Sequence, residues 1–223
     1  MIRKSINIGF LGGFSVGKTN LIVTSIGYPF KEENISTFTV DKIISRMKIN
    51  NIEYEAILWD TPGQEKLRAI LRLYIKAFQI IILVFDVTNI KSLEELNDLI
   101  KIVEDHRNNH CVIGIIGNKI DVIENIVVST EQAKSFAEKY NCKLLLTSAK
   151  EDQKRLNSFI ENLIIEYYDL YKDEEEEANL ISLKVEEKKR KSKDCCLGEV
   201  YLSFPERFKA RVFQWYVPNI KFK

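Results

Sequence analysis

The chain has 223 residues, with 33 Lys and Arg against 32 Asp and Glu, a formal net charge of +1, and 45% hydrophobic residues. This length suits one domain of about 170 residues plus a tail, large enough for a sizeable core, and the even charge balance gives no support for nucleic-acid binding. Four cysteines without paired spacing argue against a disulfide framework or a zinc site and fit a reducing cytosol.

Met1-Ile2-Arg3-Lys4 shows no signal-peptide pattern and leads straight into an apolar strand, Ile6 to Leu11. Directly after it, Gly12-Gly13-Phe14-Ser15-Val16-Gly17-Lys18-Thr19 fits Gly-x-x-x-x-Gly-Lys-Ser/Thr and runs through Asn20 into a helix expected over Lys18 to Ile26. A triphosphate is densely anionic, and backbone N–H groups converging at a helix N-terminus are suited to hold it. Lys18 then reaches the β- and γ-phosphates as a point charge, and the Thr19 hydroxyl ligates the Mg²⁺ that bridges them. A glycine-rich strand-to-helix turn with no ligand is the bland alternative, and the flanking strand and helix count against it.

Further along lies an extended segment, Phe30 to Val40, and then a strand, Lys42 to Ile49. The Asn50-Asn51 turn joins that strand in antiparallel fashion to Tyr54 to Asp60. The latter ends in Asp60-Thr61-Pro62-Gly63-Gln64-Glu65, placing a carboxylate at a strand C-terminus, where an open α/β sheet binds its ligands. Asp60 can hold Mg²⁺ through water.

A short helix is expected near Ala69 to Lys76. The apolar run Ile80 to Phe85 is too short to span a bilayer and reads as a parallel strand buried on both faces. A helix over Ser92 to Arg107 follows, with His106 and His110 solvated and without a role. Cys111 and Cys142 sit in apolar strand contexts as buried thiols.

The strand Val112 to Ile116 runs into Gly117-Asn118-Lys119-Ile120-Asp121, where a carboxylate accepts two parallel hydrogen bonds from guanine N1–H and N2–H₂ that adenine cannot offer. Ser129-Thr130-Glu131-Gln132 is a capping box for a helix over Thr130 to Tyr140. The strand Lys143 to Leu146 ends in Thr147-Ser148-Ala149-Lys150, whose backbone N–H meets guanine O6, and a last helix covers Gln153 to Tyr171. Strands alternating with helices argue a doubly wound α/β sheet of the P-loop NTPase class.

These motifs, in this order, resemble a Ras-like small GTPase over roughly residues 5 to 172. The Rab branch is most similar, through Thr19-Asn20-Leu21, Ser36-Thr37, Trp59-Asp60-Thr61, Phe85-Asp86-Val87-Thr88 and Thr147-Ser148-Ala149-Lys150. The resemblance implies a six-stranded, mostly parallel sheet with five helices and a switch that binds GTP or GDP with Mg²⁺. It implies that Thr37 ligates Mg²⁺ and bonds the γ-phosphate through its N–H, that the Gly63 N–H does the same, and that Phe30 borders the guanine. Gln64 orients the attacking water.

The expected nucleotide set is thus Gly12, Phe14, Ser15, Val16, Gly17, Lys18, Thr19, Asn20, Phe30, Thr37, Asp60, Gly63, Asn118, Lys119, Asp121, Ser148, Ala149 and Lys150, with Thr19, Thr37 and Asp60 on the metal. Partners of such a switch are an exchange factor, a GTPase-activating protein and effectors on the switch segments. The protein itself is expected to be a monomer cycling between cytoplasm and the cytosolic face of an endomembrane in vesicle traffic.

Three positions depart from the family pattern. Phe14 stands where a small residue faces the γ-phosphate, Pro62 replaces the usual alanine and fixes φ, and Thr39 replaces a glycine of the Rab-type effector segment. They favour slow hydrolysis, and Phe14 and Pro62 favour a GTP-binding adaptor that hardly hydrolyses at all; the bland alternative is a loop that tilts Phe14 out to solvent. An ATP-using P-loop enzyme is disfavoured by Asn118-Lys119-x-Asp121.

Beyond residue 172, Asp173 to Glu177 is acidic and Lys188 to Lys193 is basic, which reads as a disordered linker over 173–196. Its end, Cys195-Cys196 after basic residues, resembles the double-cysteine terminus at which Rab proteins are geranylgeranylated, giving membrane association through the tail. Yet 27 residues follow, and Lys221-Phe222-Lys223 is no prenylation box. The aromatic-rich stretch 197–223 has two readings: an amphipathic helix for a membrane interface or groove, and a reading frame running past the true end.

Overall fold

A computed structural model describes residues 4–32, 37, 39–63 and 68–171. Met1–Tyr171 forms one compact unit. The expected linker over 173–196, the extension over 197–223 and the cysteines Cys195 and Cys196 lie outside the described residues.

The element order is β1 (Lys4–Gly12), α1 (Lys18–Ser25), β2 (Asp41–Ile49), β3 (Ile52–Asp60), α2 (Arg68–Ile75), β4 (Ile80–Asp86), α3 (Ile90–His106), β5 (Val112–Asn118), α4 (Thr130–Lys139) and β6 (Lys143–Leu146). A fifth helix, α5, covers 153–171. The six strands lie in the order β2-β3-β1-β4-β5-β6, with β2 and β3 antiparallel and every other pair parallel. This is the doubly wound α/β arrangement expected.

All seven residues of β4 are buried, which only a strand covered on both faces can be. Alternate residues feed two cores. Ile6, Ile8 and Phe10 pack with Leu21 and Ile22 of α1 and Leu156, Ile160 and Leu163 of α5. Leu11, Ile81, Leu83 and Phe85 pack with Ile75 of α2, Leu96 and Val103 of α3 and Ala133 of α4. Side-chain alternation along a strand thus decides which helices each face receives.

The antiparallel hairpin turns on Asn50 and Asn51, whose φ values of 48° and 64° suit the two-residue turn that matches strand twist. The capping box of α4 forms as expected: Gln132 N–H donates to Ser129 Oγ at 3.2 Å, and Ser129 N–H donates to Gln132 Oε1 at 2.8 Å. The start of α3 differs from expectation. Asn89, not the residue before Ser92, is the N-cap and accepts from Lys91 N–H at 3.1 Å. Ser92 lies inside the first turn, where its hydroxyl accepts from Asp86 N–H at 2.9 Å.

Neither histidine is freely solvated. His106 Nδ1 lies 2.9 Å from the Ile102 carbonyl, and His110 stacks on Tyr171 with centroids 4.6 Å apart. Burial pushes the Cys111 thiol up to about 12 and the half-buried Cys142 up to about 11, so both stay protonated and inert. Among the described residues no helix is long and apolar enough to cross a membrane.

Candidate functional site: a phosphate-loop cavity

Strands β1, β3, β5 and β6 end on one side of the sheet, and the loops leaving them surround a cavity of about 390 Å³. That volume is within the range of small-ligand sites. Its lining includes Phe14, Ser15, Gly17, Lys18, Thr19, Asn20, Phe30, Thr37, Gly63, Asn118, Lys119, Asp121, Ser148, Ala149 and Lys150. Residues expected from four separate stretches of sequence therefore share one space. Gly12, Val16 and Asp60 support it without lining it, and Gln64 lies outside the described residues.

At the loop following β1, Ser15 and Gly17 take φ values of 59° and 94°. Left-handed residues alternating with right-handed ones turn successive N–H groups toward one point, the concavity that binds anions. Gly17 has a second constraint, since a β-carbon there would lie 2.3 Å from Asn118 Nδ2. Lys18 is 6% exposed and donates to the carbonyls of Gly12 at 3.1 Å and Gly13 at 2.8 Å. Burial lowers its pKa to about 8 against the pull of the Asp60 and Glu95 carboxylates. A buried ammonium held by two carbonyls is well placed to exchange them for phosphate oxygens.

Three oxygen donors converge beside it. Thr19 Oγ1 donates to Asp60 Oδ2 at 2.6 Å, Thr37 Oγ1 donates to the same oxygen at 3.3 Å, and the two hydroxyls lie 3.1 Å apart. Asp60 Oδ1 is buried with no hydrogen-bond partner, and burial raises the carboxyl's pKa despite the Thr19 hydrogen bond and Lys18. A lone carboxylate with an orphaned oxygen and two hydroxyls suits a small hard cation such as Mg²⁺. One negative charge is too little to hold such a cation alone, so phosphate oxygens and water must complete the shell.

At the other end, Asn118 is 2% exposed and joins two loops. Its Nδ2 donates to the Val16 carbonyl at 2.9 Å, and its Oδ1 accepts from Ala149 N–H at 3.0 Å. The Ala149 N–H, one of the backbone donors in the stretch expected to meet a base oxygen, is thus already occupied by Asn118. Lys119 pairs with Asp86 at 2.6 Å and Asp121 lies along the cavity wall. Asn20 Nδ2 donates to the Lys31 carbonyl at 2.9 Å and so pins the segment carrying Phe30, whose ring lies 6.0 Å from the Lys150 ammonium.

Sequence reasoning missed Glu32, Thr61 and Val122 of the lining, and Asp86 behind Lys119. Thr61 and Asp86 lie in motifs that mark the family resemblance but were given no role at the site, and Glu32 and Val122 lie in none. Thr61 is there because its hydroxyl donates to the Phe10 carbonyl at 2.6 Å, a contact across 51 positions of sequence. Phe14 lines the cavity yet is 58% exposed. No arginine lines the cavity among the described residues.

The Ras family pattern matches residues 7–168. The Ras-related protein RABA1c of Arabidopsis thaliana is 35% identical over 153 residues, 69% of this chain and 71% of that protein. The Ras-related protein Rab11E of Lotus japonicus is 36% identical over 153 residues, 69% and 70% of the two chains. The GTP-binding protein ypt3 of Schizosaccharomyces pombe is 33% identical over 141 residues, 63% and 66% of the two chains. The matched span contains every loop that builds the cavity, and the chain belongs to the Ras family as a divergent member of its Rab branch.

Proposed function

We propose that this protein is a GTP/GDP-dependent molecular switch that binds guanine nucleotide with Mg²⁺, hydrolyses GTP slowly and serves vesicle traffic at a membrane. The observation that carries the reading is the convergence of Lys18, the Thr19-Thr37-Asp60 oxygens and Asn118-Lys119-x-Asp121 on one cavity. Lys18 holds the β- and γ-phosphates, and Asp121 reads guanine. Thr19, Thr37 and Asp60 hold Mg²⁺, which when bound neutralises charge on the phosphate oxygens.

Thr37 and Gly63 offer one N–H each to the γ-phosphate. Charged hydrogen bonds of roughly 1.5 to 3 kcal/mol each give about 3 to 6 together, and inverting a two-state equilibrium needs roughly 5.5. The terminal phosphate alone is therefore about sufficient, at the upper end of that range, to order both segments, and its loss releases them. An exchange factor, an activating protein and effectors would read that difference, and the basic, double-cysteine tail would supply the membrane contact. Calorimetry of the full chain with Mg²⁺ tests the core reading. GTP and GDP are expected to bind at least about 100-fold more tightly than ATP and ADP, since the Asp121 carboxylate facing adenine is left unpaired; equal affinities would end the reading.

Phe14 favours slow hydrolysis. Its backbone lies close to the second switch, since a β-carbon on Gly63 would lie 2.7 Å from Phe14 Cα, and its side chain, 58% exposed, lines the cavity near where an attacking water and an incoming arginine must fit. Single-turnover phosphate release is expected to rise at least about tenfold in Phe14→Gly, because small misplacements of reacting groups cost that much or more. Equal rates in the two proteins, with and without an activator, would remove Phe14 as the cause.

The Lys18 pKa of about 8 also predicts proton uptake on binding. Phosphate holds the ammonium charged, so the bound state keeps a proton that the free site loses as pH rises through 8. Affinity should therefore fall above that pH, by up to about tenfold per unit. Calorimetry in buffers of differing ionisation enthalpy should show uptake of more than half a proton at about pH 8.5 and little at about pH 6.5.

A further inference from the structure

Gly13 has no side chain, and the space a β-carbon would fill is taken by a carboxylate: the built atom lies 2.4 Å from Oε2 of Glu95. Glu95 comes from α3 and is partly buried. The same residue of the loop meets two more groups. Its carbonyl accepts from Lys18 Nζ at 2.8 Å, and a β-carbon on Gly63 would lie 2.4 Å from that carbonyl oxygen. One backbone unit thus touches the phosphate-binding ammonium, the second switch segment and an acidic side chain from a helix that carries none of the expected nucleotide motifs.

The two carboxylates near Lys18 differ in what they face. Asp60 sits among the Thr19 and Thr37 hydroxyls, where a bound cation offsets its charge. Glu95 lies against the loop itself, where its charge attracts the Lys18 ammonium and so competes with phosphate for it. A negative charge behind a phosphate cradle opposes anionic ligands, and opposes most the ligand with the greatest charge. A nucleoside triphosphate carries one more negative charge than the diphosphate, at the end nearest the Lys18 and Gly63 contacts.

We propose that Glu95 is a specificity-determining residue: its carboxylate, lodged against Gly13, biases the site toward the diphosphate and so sets how much of the protein rests in the released state. This rests on the guanine-nucleotide reading above. It assigns to α3 a direct electrostatic hand in the switch, exerted through the loop without contact to the nucleotide.

Glu95→Gln keeps the shape and removes the charge. Gly13→Ala keeps the charge and pushes the flexible carboxylate away, since its methyl would occupy the same space. In the full-length protein with Mg²⁺, dissociation constants for fluorescent GDP and for a non-hydrolysable fluorescent GTP analogue give the ratio to compare. Both variants are expected to shift that ratio toward the triphosphate by about three- to tenfold, the size expected for one partly screened charge. A purely structural role for Glu95 would weaken both ligands together and leave the ratio in place. A ratio unchanged in both variants, or moved toward the diphosphate, overturns the inference while leaving the nucleotide reading intact; failure of the unaltered protein to bind either nucleotide overturns both.

Discussion

Lys18→Met is expected to abolish measurable nucleotide binding while leaving the ligand-free protein as stable as before, or more so. The two halves of this expectation have one cause. Lys18 is 6% exposed, and burial lowers its pKa from 10.5 to about 8. That shift corresponds to about 3 kcal/mol of disfavour toward the charged form. The sign follows directly: the penalty is fully present below pH 8, where folded and unfolded chains both hold the proton, and fades as pH rises toward 10.5, where only the unfolded chain would still bind it.

Methionine has a similar length and carries no such penalty, although the carbonyls of Gly12 and Gly13 lose a donor. With phosphate present the balance reverses, because removing one partner of a buried charge pair costs roughly 3 to 5 kcal/mol, or about 100- to 1000-fold or more in affinity. Thermal unfolding with and without GDP checks both halves at once: the unliganded midpoint should hold or rise, and the GDP-induced increase should vanish. A GDP-induced shift equal to that of the natural protein would show that Lys18 does not hold phosphate.

Asn118→Ala should damage both fold and site. Two buried backbone groups depend on this side chain, the Val16 carbonyl at 2.9 Å and the Ala149 N–H at 3.0 Å. An unpaired buried polar group costs about 1 to 3 kcal/mol, so the pair costs roughly 2 to 6. The substitution also frees the phosphate loop from the loop after β6, so nucleotide affinity should fall at least about 100-fold, toward the lower end of what such a loss in free energy permits. Urea unfolding measures the first effect and nucleotide titration the second. Unchanged stability would mean that other groups already satisfy Val16 and Ala149.

Local pattern carried much of the architecture. The run Ile80 to Phe85 has no alternation, and its uniform burial in β4 follows from that. The Asn50-Asn51 turn and the Ser129-Gln132 cap are read from two and four residues, because their chemistry is complete within those residues. The start of α3 lies two residues earlier than the expected Ser92, because Asn89 caps the helix while the Ser92 hydroxyl accepts from Asp86 N–H, a residue fixed by the sheet.

Sequence spacing was enough to name Lys18, Thr19, Asn118 and Asp121, which line one cavity, and Asp60 beside it, because each stands in a short motif at a strand end. It could not show that Asn118 clamps Val16 to Ala149, across 102 and 31 positions, nor that Glu95 from α3 fills the space beside Gly13. Those facts depend on where β5 and α3 come to rest against the first loop. Propensity and motif are properties of neighbours along the chain, whereas the charge and hydrogen-bond partners a group meets are decided only by residues that packing brings to it from far away.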